Sequence, residues 1–308
     1  MGKPSILTTI VLYHPDEKQL LALVKVCAQS ANTHILLFDN AEISDALKEK
    51  ISDSIVYVQS PANVGVGGAH YYACQMAVEK KFDFILLLDQ DSQLPSNFVN
   101  DMVAGFYRTQ ACYSRLAAVG PSWTDPRILK PTQNKPTHLS KQLSGLSRLK
   151  HLLKKNHKLK KLVDLWRNKN KIILISSGML ICVSALEIVG FPKREYFIDL
   201  VDTEWCLRVH AKQYQVIKLE DVWMEHTIGN VKKIGRRHLY YQTPIRYYYT
   251  MRNSFLLFSD KQLPFFHRSV ILLKSLLQLS KLPFVPEPLA SFSAAWRGLK
   301  EGIRRAWQ

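Results

Sequence analysis

The sequence predicts an α/β protein with an open, mostly parallel sheet flanked by helices and a basic, amphipathic helical tail at the C-terminus. Two observations carry this prediction. Strand and helix patterns alternate through the first hundred residues, and the best strand candidates are apolar at nearly every position. Such runs are typical of parallel sheets covered on both faces. The 308 residues, 47% of them hydrophobic, suffice for one large domain with a tail.

Four strands are expected in the first hundred residues, with helical patterns between them. The candidate runs cover residues 5–13, 34–40, 54–60 and 84–92. A glycine-rich loop, NVGVGGA, occupies residues 63–69, and a helix should follow it. Because repeated β-α-β units imply an open sheet, ligands should bind at the carboxyl ends of its strands. Asp39, Asp89 and Asp91 all stand at such ends.

Later strand signals are weaker. Residues 172–183 read as a strand pair broken at Ser176-Ser177-Gly178, and residues 216–224 read as a further strand. The remaining chain is rich in tyrosine and then helical, apolar and basic. We therefore expect a catalytic and ligand-binding domain over residues 1–230, with a basic insert at 148–171. Residues 231–308 should form a basic helical segment that associates with membranes.

The net charge of +17 is concentrated in two segments. Residues 148–171 carry ten Lys/Arg and one acid, and residues 231–308 carry fourteen Lys/Arg and three acids. Basic segments of this kind commonly bind a polyanion, either nucleic acid or an anionic membrane. A solvated, partly flexible basic surface would give the same pattern. The five cysteines are widely spaced and lack metal-ligand spacing, so a reducing cytosol fits best.

Three short patterns carry possible chemistry. In LLLDQDS (86–92), two carboxylates two residues apart at a strand end could share a divalent ion with a diphosphate. In VDTEWCLR (201–208), Asp202 could act as a general base. His226 follows a strand-like run and could be a metal ligand. Each pattern also has an ordinary structural explanation: a solvated turn, helix N-terminal acids favoured by the helix dipole, and a structural histidine.

Taken together, the segments resemble the rhamnosyltransferase branch of glycosyltransferase family 2, over roughly residues 5–254. The resemblance rests on an ordered set of motifs rather than on any single one. These are Tyr13-His14-Pro15, LFDN (37–40), Asn-x-Gly-x-Gly-Gly (63–68), LDQDS (88–92), SSGMLI (176–181), FIDLVDTEWCLR (197–208), EHTIGN (225–230) and RYYYTMRN (246–253).

The resemblance implies a GT-A fold, an inverting mechanism and a role for each matched residue. Asp202 would be the catalytic base, although Val201 stands where the family's motif has Glu. Asp91 and His226 would bind Mg²⁺ or Mn²⁺. The nucleotide-sugar donor would be bound by Tyr13, Asp39 (at the nucleobase), Asn63, Asp89 (near the nucleoside), Gly178 and Arg252. Arg252 could face the diphosphate or form a structural ion pair. His14 stands where relatives often have Asn, and its role stays open.

The same resemblance implies the donor dTDP-L-rhamnose and a bacterial surface glycan or glycolipid as acceptor, as in lipopolysaccharide core or O-antigen synthesis. Residues 265–282 indicate where the protein is located in the cell. Phe266, Val270, Leu273 and Leu277 would form one helical face and His267, Lys274, Gln278 and Lys281 another. We therefore expect a cytoplasmic enzyme held peripherally on the inner face of the cytoplasmic membrane by anionic lipid.

Two other functions are compatible with parts of the sequence. A nucleotidyltransferase also uses an α/β sheet, a metal and acidic pairs, but usually has a glycine-rich basic loop after the first strand. Here that position reads YHPDEK. A nucleic-acid-binding module would suit the charge of +17. However, residues 148–171 lack interleaved aromatic side chains and match no recognised motif, so no nucleic-acid partner is expected.

Overall fold

A computed structural model describes residues 3–30, 32–51, 53–127, 173–227, 229–234 and 237–306. The predicted basic insert at 148–171 lies outside the described residues. The described chain forms a seven-stranded mixed sheet and a separate two-stranded hairpin.

The large sheet has the strand order β3-β2-β1-β4-β6-β5-β7. Its strands are β1 (Ile6–Leu12), β2 (Thr33–Asp39), β3 (Val56–Gln59), β4 (Phe84–Asp89), β5 (Leu116–Thr124), β6 (Met179–Cys182) and β7 (Gln215–Glu225). Only β6 runs against its neighbours. The hairpin pairs β8 (Asn230–Ile234) with β9 (Arg237–Tyr241). The predicted mostly parallel sheet is confirmed.

Nine α-helices accompany these strands within the described residues. They are α1 (Glu17–Ala28), α2 (Asp45–Lys48), α3 (Gly65–Glu79), α4 (Phe98–Gln110), α5 (Val183–Val189), α6 (Val201–Ala211), α7 (Pro244–Ser259), α8 (Phe265–Gln278) and α9 (Pro288–Ala306). Short 3₁₀ turns lie at Arg194–Tyr196 and Leu279–Phe284. A helical C-terminal tail is therefore present.

The apolar runs form strands because both faces of the sheet are covered. Successive side chains of a strand point to opposite faces. Ile10 and Leu12 of β1 therefore share one core with Leu20 of α1 and Phe106 of α4. Leu7 of the same strand points the other way, into a core completed by α3, α5 and α6. Burial on both faces is what requires an apolar residue at nearly every position.

Strand register brings the predicted acids to one edge of the sheet. Leu12 of β1 lies opposite Asp39 of β2, and Val11 lies opposite Asp89 of β4. The carboxyl ends of β1, β2 and β4 are thus level with one another. This edge is where an open α/β sheet binds its ligands.

The structure departs from the sequence prediction at one strand pair. Residues 173–175 are not part of a strand, and only Met179–Cys182 enters the sheet. The backbone N–H of Gly178 donates to the carbonyl of Leu87 at 2.8 Å, which anchors the turn that precedes β6. β5 and the β8–β9 hairpin also have no counterpart in the sequence prediction.

The three C-terminal helices pack together and reach the main domain. α9 lies along α7, and both are joined to the 3₁₀ turn at 279–284 by a small core that includes Tyr247, Met251, Leu282 and Ala295. Among the helices described, none combines the length and apolar character needed to span a bilayer. The division of the chain at residue 230 stays a prediction.

Candidate active site

Asp89, Asp91 and His226 form a cluster at the carboxyl edge of the sheet. One potential ligand atom from each residue lies within 4.8 Å of the others. Nε2 of His226 is 3.7 Å from Oδ2 of Asp89. The cluster arises because β4 ends at Asp89 and the chain that follows it pairs with the end of β7, through backbone hydrogen bonds between Gln93 and Glu225. Two carboxylates and an imidazole are a suitable donor set for a divalent cation.

Two features of the cluster fit a cation. Among the described residues, the buried Nδ1 of His226 has no hydrogen-bond partner. Burial raises the pKa of Asp89; the Asp91 and Asp202 carboxylates raise it further, while His226 and Arg246 oppose them. The protein thus concentrates negative charge at a partly buried place, and a bound cation would relieve the cost.

The middle residue of the D-x-D motif holds β1 and β4 together at the site. Oε1 of Gln90 accepts a hydrogen bond from the backbone N–H of Tyr13 at 2.7 Å, and its Nε2 donates to the carbonyl of Tyr13 at 3.0 Å. Asp91 accepts a hydrogen bond of 3.0 Å from the hydroxyl of Thr227. The first contact fixes the chain between the two acids relative to the end of β1, and the second fixes Asp91 relative to the end of β7.

Asp202 lies near this cluster, in the first turn of α6. Its Oδ2 accepts a hydrogen bond from the backbone N–H of Ser176 at 3.2 Å, and its Oδ1 accepts one from that of Thr203 at 2.6 Å. Burial raises the pKa of Asp202, and these hydrogen bonds oppose the shift. Glu204 points elsewhere: it is fully buried and forms the expected i,i+4 pair with Arg208.

The turn leading into α6 has an unusual backbone. Phe197, Asp199 and Leu200 all have φ between 61° and 63°, a region that residues with a Cβ rarely adopt. The amide nitrogen of Asn253, in α7, lies 2.8 Å from the carbonyl oxygens of Tyr196, Ile198 and Asp199. This side chain therefore holds the strained turn that presents Asp202. Strain maintained by surrounding contacts is common at functional sites.

Arg246, at the start of α7, is an arginine whose charge acts on the acidic centre. Its guanidinium donates two hydrogen bonds to the carboxylate of Asp199, one of them 3.2 Å long. Burial disfavours the charged form, but Asp199, Asp89 and Asp202 together raise the pKa of Arg246. A fixed positive charge at this point is suited to a diphosphate.

Arg252 lies one turn and a half further along α7, in a different environment. It is buried, and its guanidinium donates to the carbonyls of Glu195 and Tyr196 and to Oδ1 of Asn253. It also stacks over the ring of Tyr249 at 4.7 Å. These contacts orient Asn253 and support the strained turn. Contact between Arg252 and a donor diphosphate stays a prediction.

Other predicted donor-binding residues lie around the same edge. Tyr13 is exposed just beyond β1 and packs edge-on against His14. Asn63 accepts a hydrogen bond of 2.8 Å from the backbone N–H of Gly65, which shapes the start of α3. Gly178 has φ of 83°, and a Cβ there would approach Pro121 and Met224 too closely. Glycine is therefore required at this position by the protein's own backbone and packing.

Asp39 is more enclosed than its predicted role requires. It is fully buried and accepts hydrogen bonds from the N–H groups of Ala41 and Ile43, both at 2.9 Å, and from the hydroxyl of Tyr57 at 2.7 Å. These bonds shape the loop after β2. Its contact with a nucleobase stays a prediction.

Arg246 and Asn253 are not among the predicted site residues, although both belong to the motif RYYYTMRN (246–253). Their spacing held a usable signal. Arg246, Thr250 and Asn253 are four and three residues apart, which places them on one face of a helix. All three contact the Asp199 region: Thr250 donates to the Asp199 carboxylate at 3.4 Å.

Comparison with known proteins identifies the family. Residues 8–189 match the family described as "Glycosyl transferase family 2". A curated relative, the dTDP-rhamnosyl transferase RfbF of Shigella flexneri, is 28% identical over 266 residues, which cover 84% of this chain and 82% of the relative.

Solved structures share the fold at low sequence identity. TarS 1-349 of S. aureus, determined with UDP, aligns with 97% of this chain and 80% of its own at 14% identity and a TM-score of 0.59. The chain spans 44% of the longer TarS chain. The mannosyltransferase PcManGT of Pyrobaculum calidifontis, determined with GDP-Man and Mn²⁺, aligns with 99% of this chain and 86% of its own at 13% identity and a TM-score of 0.55. The chain has a GT-A fold, belongs to glycosyltransferase family 2 and is a glycosyltransferase.

Proposed function

We propose that this enzyme transfers L-rhamnose from dTDP-L-rhamnose to a bacterial surface glycan, with inversion at the anomeric carbon. The observation that carries the reaction type is the convergence of Asp89, Asp91, His226 and Asp202 at one edge of the sheet. The donor is proposed because the relative in Shigella flexneri, aligned over most of both chains, is a dTDP-rhamnosyl transferase. The acceptor is a glycan or glycolipid of the lipopolysaccharide core, O-antigen or a similar polymer.

Asp91 and His226 would hold the divalent cation, with Asp89 beside them near the nucleoside. Mn²⁺ or Mg²⁺ suits this donor set, and the structure of PcManGT was determined with Mn²⁺. When bound, the cation would neutralise charge on the leaving diphosphate. Arg246 adds a fixed positive charge from the protein, which acts on Asp89 and Asp202.

Asp202 is the proposed general base. It accepts the proton of the attacking acceptor hydroxyl while the new bond to the anomeric carbon forms and the bond to the diphosphate oxygen breaks. The raised pKa of Asp202 favours this role, since burial makes its carboxylate a stronger base. A single displacement needs only this one carboxylate, unlike the two of a glycoside hydrolase.

The remaining donor contacts are proposed from family resemblance. Tyr13 and Asn63 would line the donor pocket, Asp39 would meet the nucleobase, Gly178 would allow close approach of the sugar, and Arg252 would face the diphosphate. Arg246 is our alternative for that last role, because its charge is coupled to Asp89 and Asp202.

We also place the enzyme on the cytoplasmic face of the inner membrane. The charge supports this location: residues 231–308 carry fourteen Lys/Arg against three acids. Each Lys or Arg near an anionic leaflet contributes about 1 kcal/mol to binding. α8 exposes Leu273 and Leu277, as expected for part of its apolar face, while Ile271 and Ser275 are buried against the protein.

A donor screen tests the proposed substrate. Thermal unfolding is measured with Mn²⁺ and dTDP-L-rhamnose, UDP-glucose, UDP-galactose or GDP-mannose, because a bound donor stabilises the folded state. Turnover with each donor is then compared side by side. We expect the largest shift and the fastest turnover with dTDP-L-rhamnose. Preferred turnover with either UDP sugar would contradict the proposed donor while leaving the family assignment intact.

A further inference from the structure

The last helix, α9, buries its small side chains and exposes its large ones. Ser291, Ala294, Ala295, Gly298 and Gly302 are buried. By contrast, Leu289 is 85%, Phe292 58%, Trp296 51% and Ile303 40% exposed. The usual amphipathic helix of a globular protein does the opposite, because its large apolar side chains face the core.

The buried face of α9 already has its partner. A Cβ on Gly298 would overlap the carbonyl oxygen of Tyr248, and one on Gly302 would lie 2.7 Å from the carbonyl oxygen of Arg252. The backbones of α9 and α7 are therefore in close contact, with the two helices running parallel. The small residues of α9 are explained by this contact with α7. The exposed large residues make no part of it and need a separate explanation.

The exposed apolar residues form one continuous stripe, which we call the α9 stripe: Leu289, Phe292, Trp296 and Ile303. They are three, four and seven residues apart, so they project from the same side of the helix. Two aromatic side chains in such a stripe are unusual for a surface in contact only with water. Contiguous exposed apolar surface generally marks an interaction site.

Positive charge lies beside the stripe. Arg297, Lys300, Arg304 and Arg305 belong to α9, against the single acid Glu301. The ammonium group of Lys300 lies 5.5 Å from the centre of the Trp296 ring. Trp and Lys together are suited to the boundary between headgroups and acyl chains, since each has an apolar body and a polar end.

We propose that α9 lies in the headgroup region of an anionic bilayer, with the α9 stripe inserted among the acyl chains and its basic face toward the lipid phosphates. This deepens the membrane location given under the proposed function, and it assigns that contact to a helix other than α8. Protein partners fit less well, because a row of basic side chains beside an apolar stripe complements an anionic lipid surface.

Contact between α9 and the membrane would also fix the orientation of the active site relative to the bilayer. α9 packs along α7, and α7 supplies Arg246 and Asn253 to the turn before Asp202. One helix thus separates the membrane contact from the catalytic turn. A lipid-carried acceptor would be held close to the site without entering bulk water.

Vesicle flotation of the full-length protein tests the proposal. Wild type, Phe292→Ser and Trp296→Ser are floated with vesicles of phosphatidylglycerol and phosphatidylcholine and, separately, of phosphatidylcholine alone. The control is Tyr113→Ser, which removes an exposed aromatic side chain outside α9. We expect wild type and Tyr113→Ser to float with the anionic vesicles, and each α9 variant to bind about tenfold more weakly.

Equal flotation of wild type and both α9 variants would overturn the proposal, as would a wild type that floats with neither vesicle. A wild type that instead dimerises in solution, with Trp296→Ser monomeric and no flotation, would show that a second copy covers the stripe. Donor-induced thermal shifts of the same variants should equal that of wild type. A missing shift in all proteins would count against the proposed donor and leave the flotation result to be judged by itself.

Discussion

The backbone N–H of Ser176 donates a hydrogen bond to the carboxylate of Asp202 across 3.2 Å. It joins the turn before β6 to the first turn of α6, so the carboxylate is fixed from two directions. Such preorganisation suits a group that must accept a proton in one defined geometry.

We expect Asp202→Asn to stay folded and bind donor but to lower turnover roughly 10²–10⁴-fold, the usual contribution of a general base. The amide oxygen can accept from Ser176 or from Thr203 but not from both, so some loss of stability is also expected. The amide cannot take the acceptor's proton. Turnover and donor-induced thermal shift are measured together. Turnover above a tenth of wild type would remove Asp202 from this role.

Metal dependence is the second prediction. EDTA should abolish turnover, and Mn²⁺ or Mg²⁺ should restore it, because Asp91 and His226 are the proposed ligands. Asp91→Ala and His226→Ala should lose donor binding, measured by calorimetry with added Mn²⁺. Asp221→Ala is the control, since Asp221 is an exposed acid paired with Arg108. Full activity in EDTA or in Asp91→Ala would contradict the assignment.

The N-terminal half of the sheet was predictable because its strands are buried on both faces. β1, β2 and β4 must be apolar at nearly every position, and an acid after such a run marks the strand's end. The positions of Asp89 and Asp91 followed from the end of β4, whereas His226 was assigned to the metal site by the family resemblance. β5 was missed because Gly120 and Pro121 interrupt its apolar pattern, which weakens any strand signal.

The sequence places Arg246, Thr250 and Asn253 on one helix face, but it could not predict which turn they contact. Asp199 and Asn253 are 54 positions apart, and their contact depends on a turn with positive φ at three residues that are not glycine. The residues FIDL (197–200) do not predict a backbone with positive φ. It exists because α7 supplies an amide and a guanidinium to hold it, which is a tertiary effect.

Asn253 should therefore be essential for the turn. Asn253→Asp keeps the side-chain shape but replaces an N–H donor by a carboxylate oxygen facing three carbonyls. We expect the free energy of unfolding to fall by about 3 kcal/mol, the cost of stranding buried polar groups. Denaturant unfolding measures this. Asn97→Asp, the same change at an exposed position, should stay within about 0.5 kcal/mol of wild type.

The two arginines of α7 can be distinguished by what their loss affects. Arg246→Ala should lower turnover by roughly 10²–10³-fold, as expected for a preorganised charge at a leaving group, and Arg246→Lys should recover part of it. Arg252→Met should mainly lower the unfolding temperature, because Arg252 donates to buried carbonyls. The opposite pattern, with donor binding lost only in Arg252→Met, would favour Arg252 as the diphosphate ligand.

The last prediction concerns His70, which is buried in α3 and whose Nε2 has no hydrogen-bond partner among the described residues. Burial lowers the pKa of His70 to about 4. In the unfolded chain its pKa is about 6.5, so between these values only the unfolded state takes up the proton. The stabilisation associated with neutral His70 is therefore fully present above pH ~6.5 and is lost as the pH falls toward ~4. Over this range the free energy of unfolding should decrease by about 3 kcal/mol. His70→Met removes the titrating group, so the stability of this variant should fall less than that of wild type between about pH 7.5, above the unfolded-state pKa, and about pH 4.5, close to the folded-state pKa. Urea unfolding at both pH values measures the difference, and parallel losses in the two proteins would show that His70 does not titrate as described.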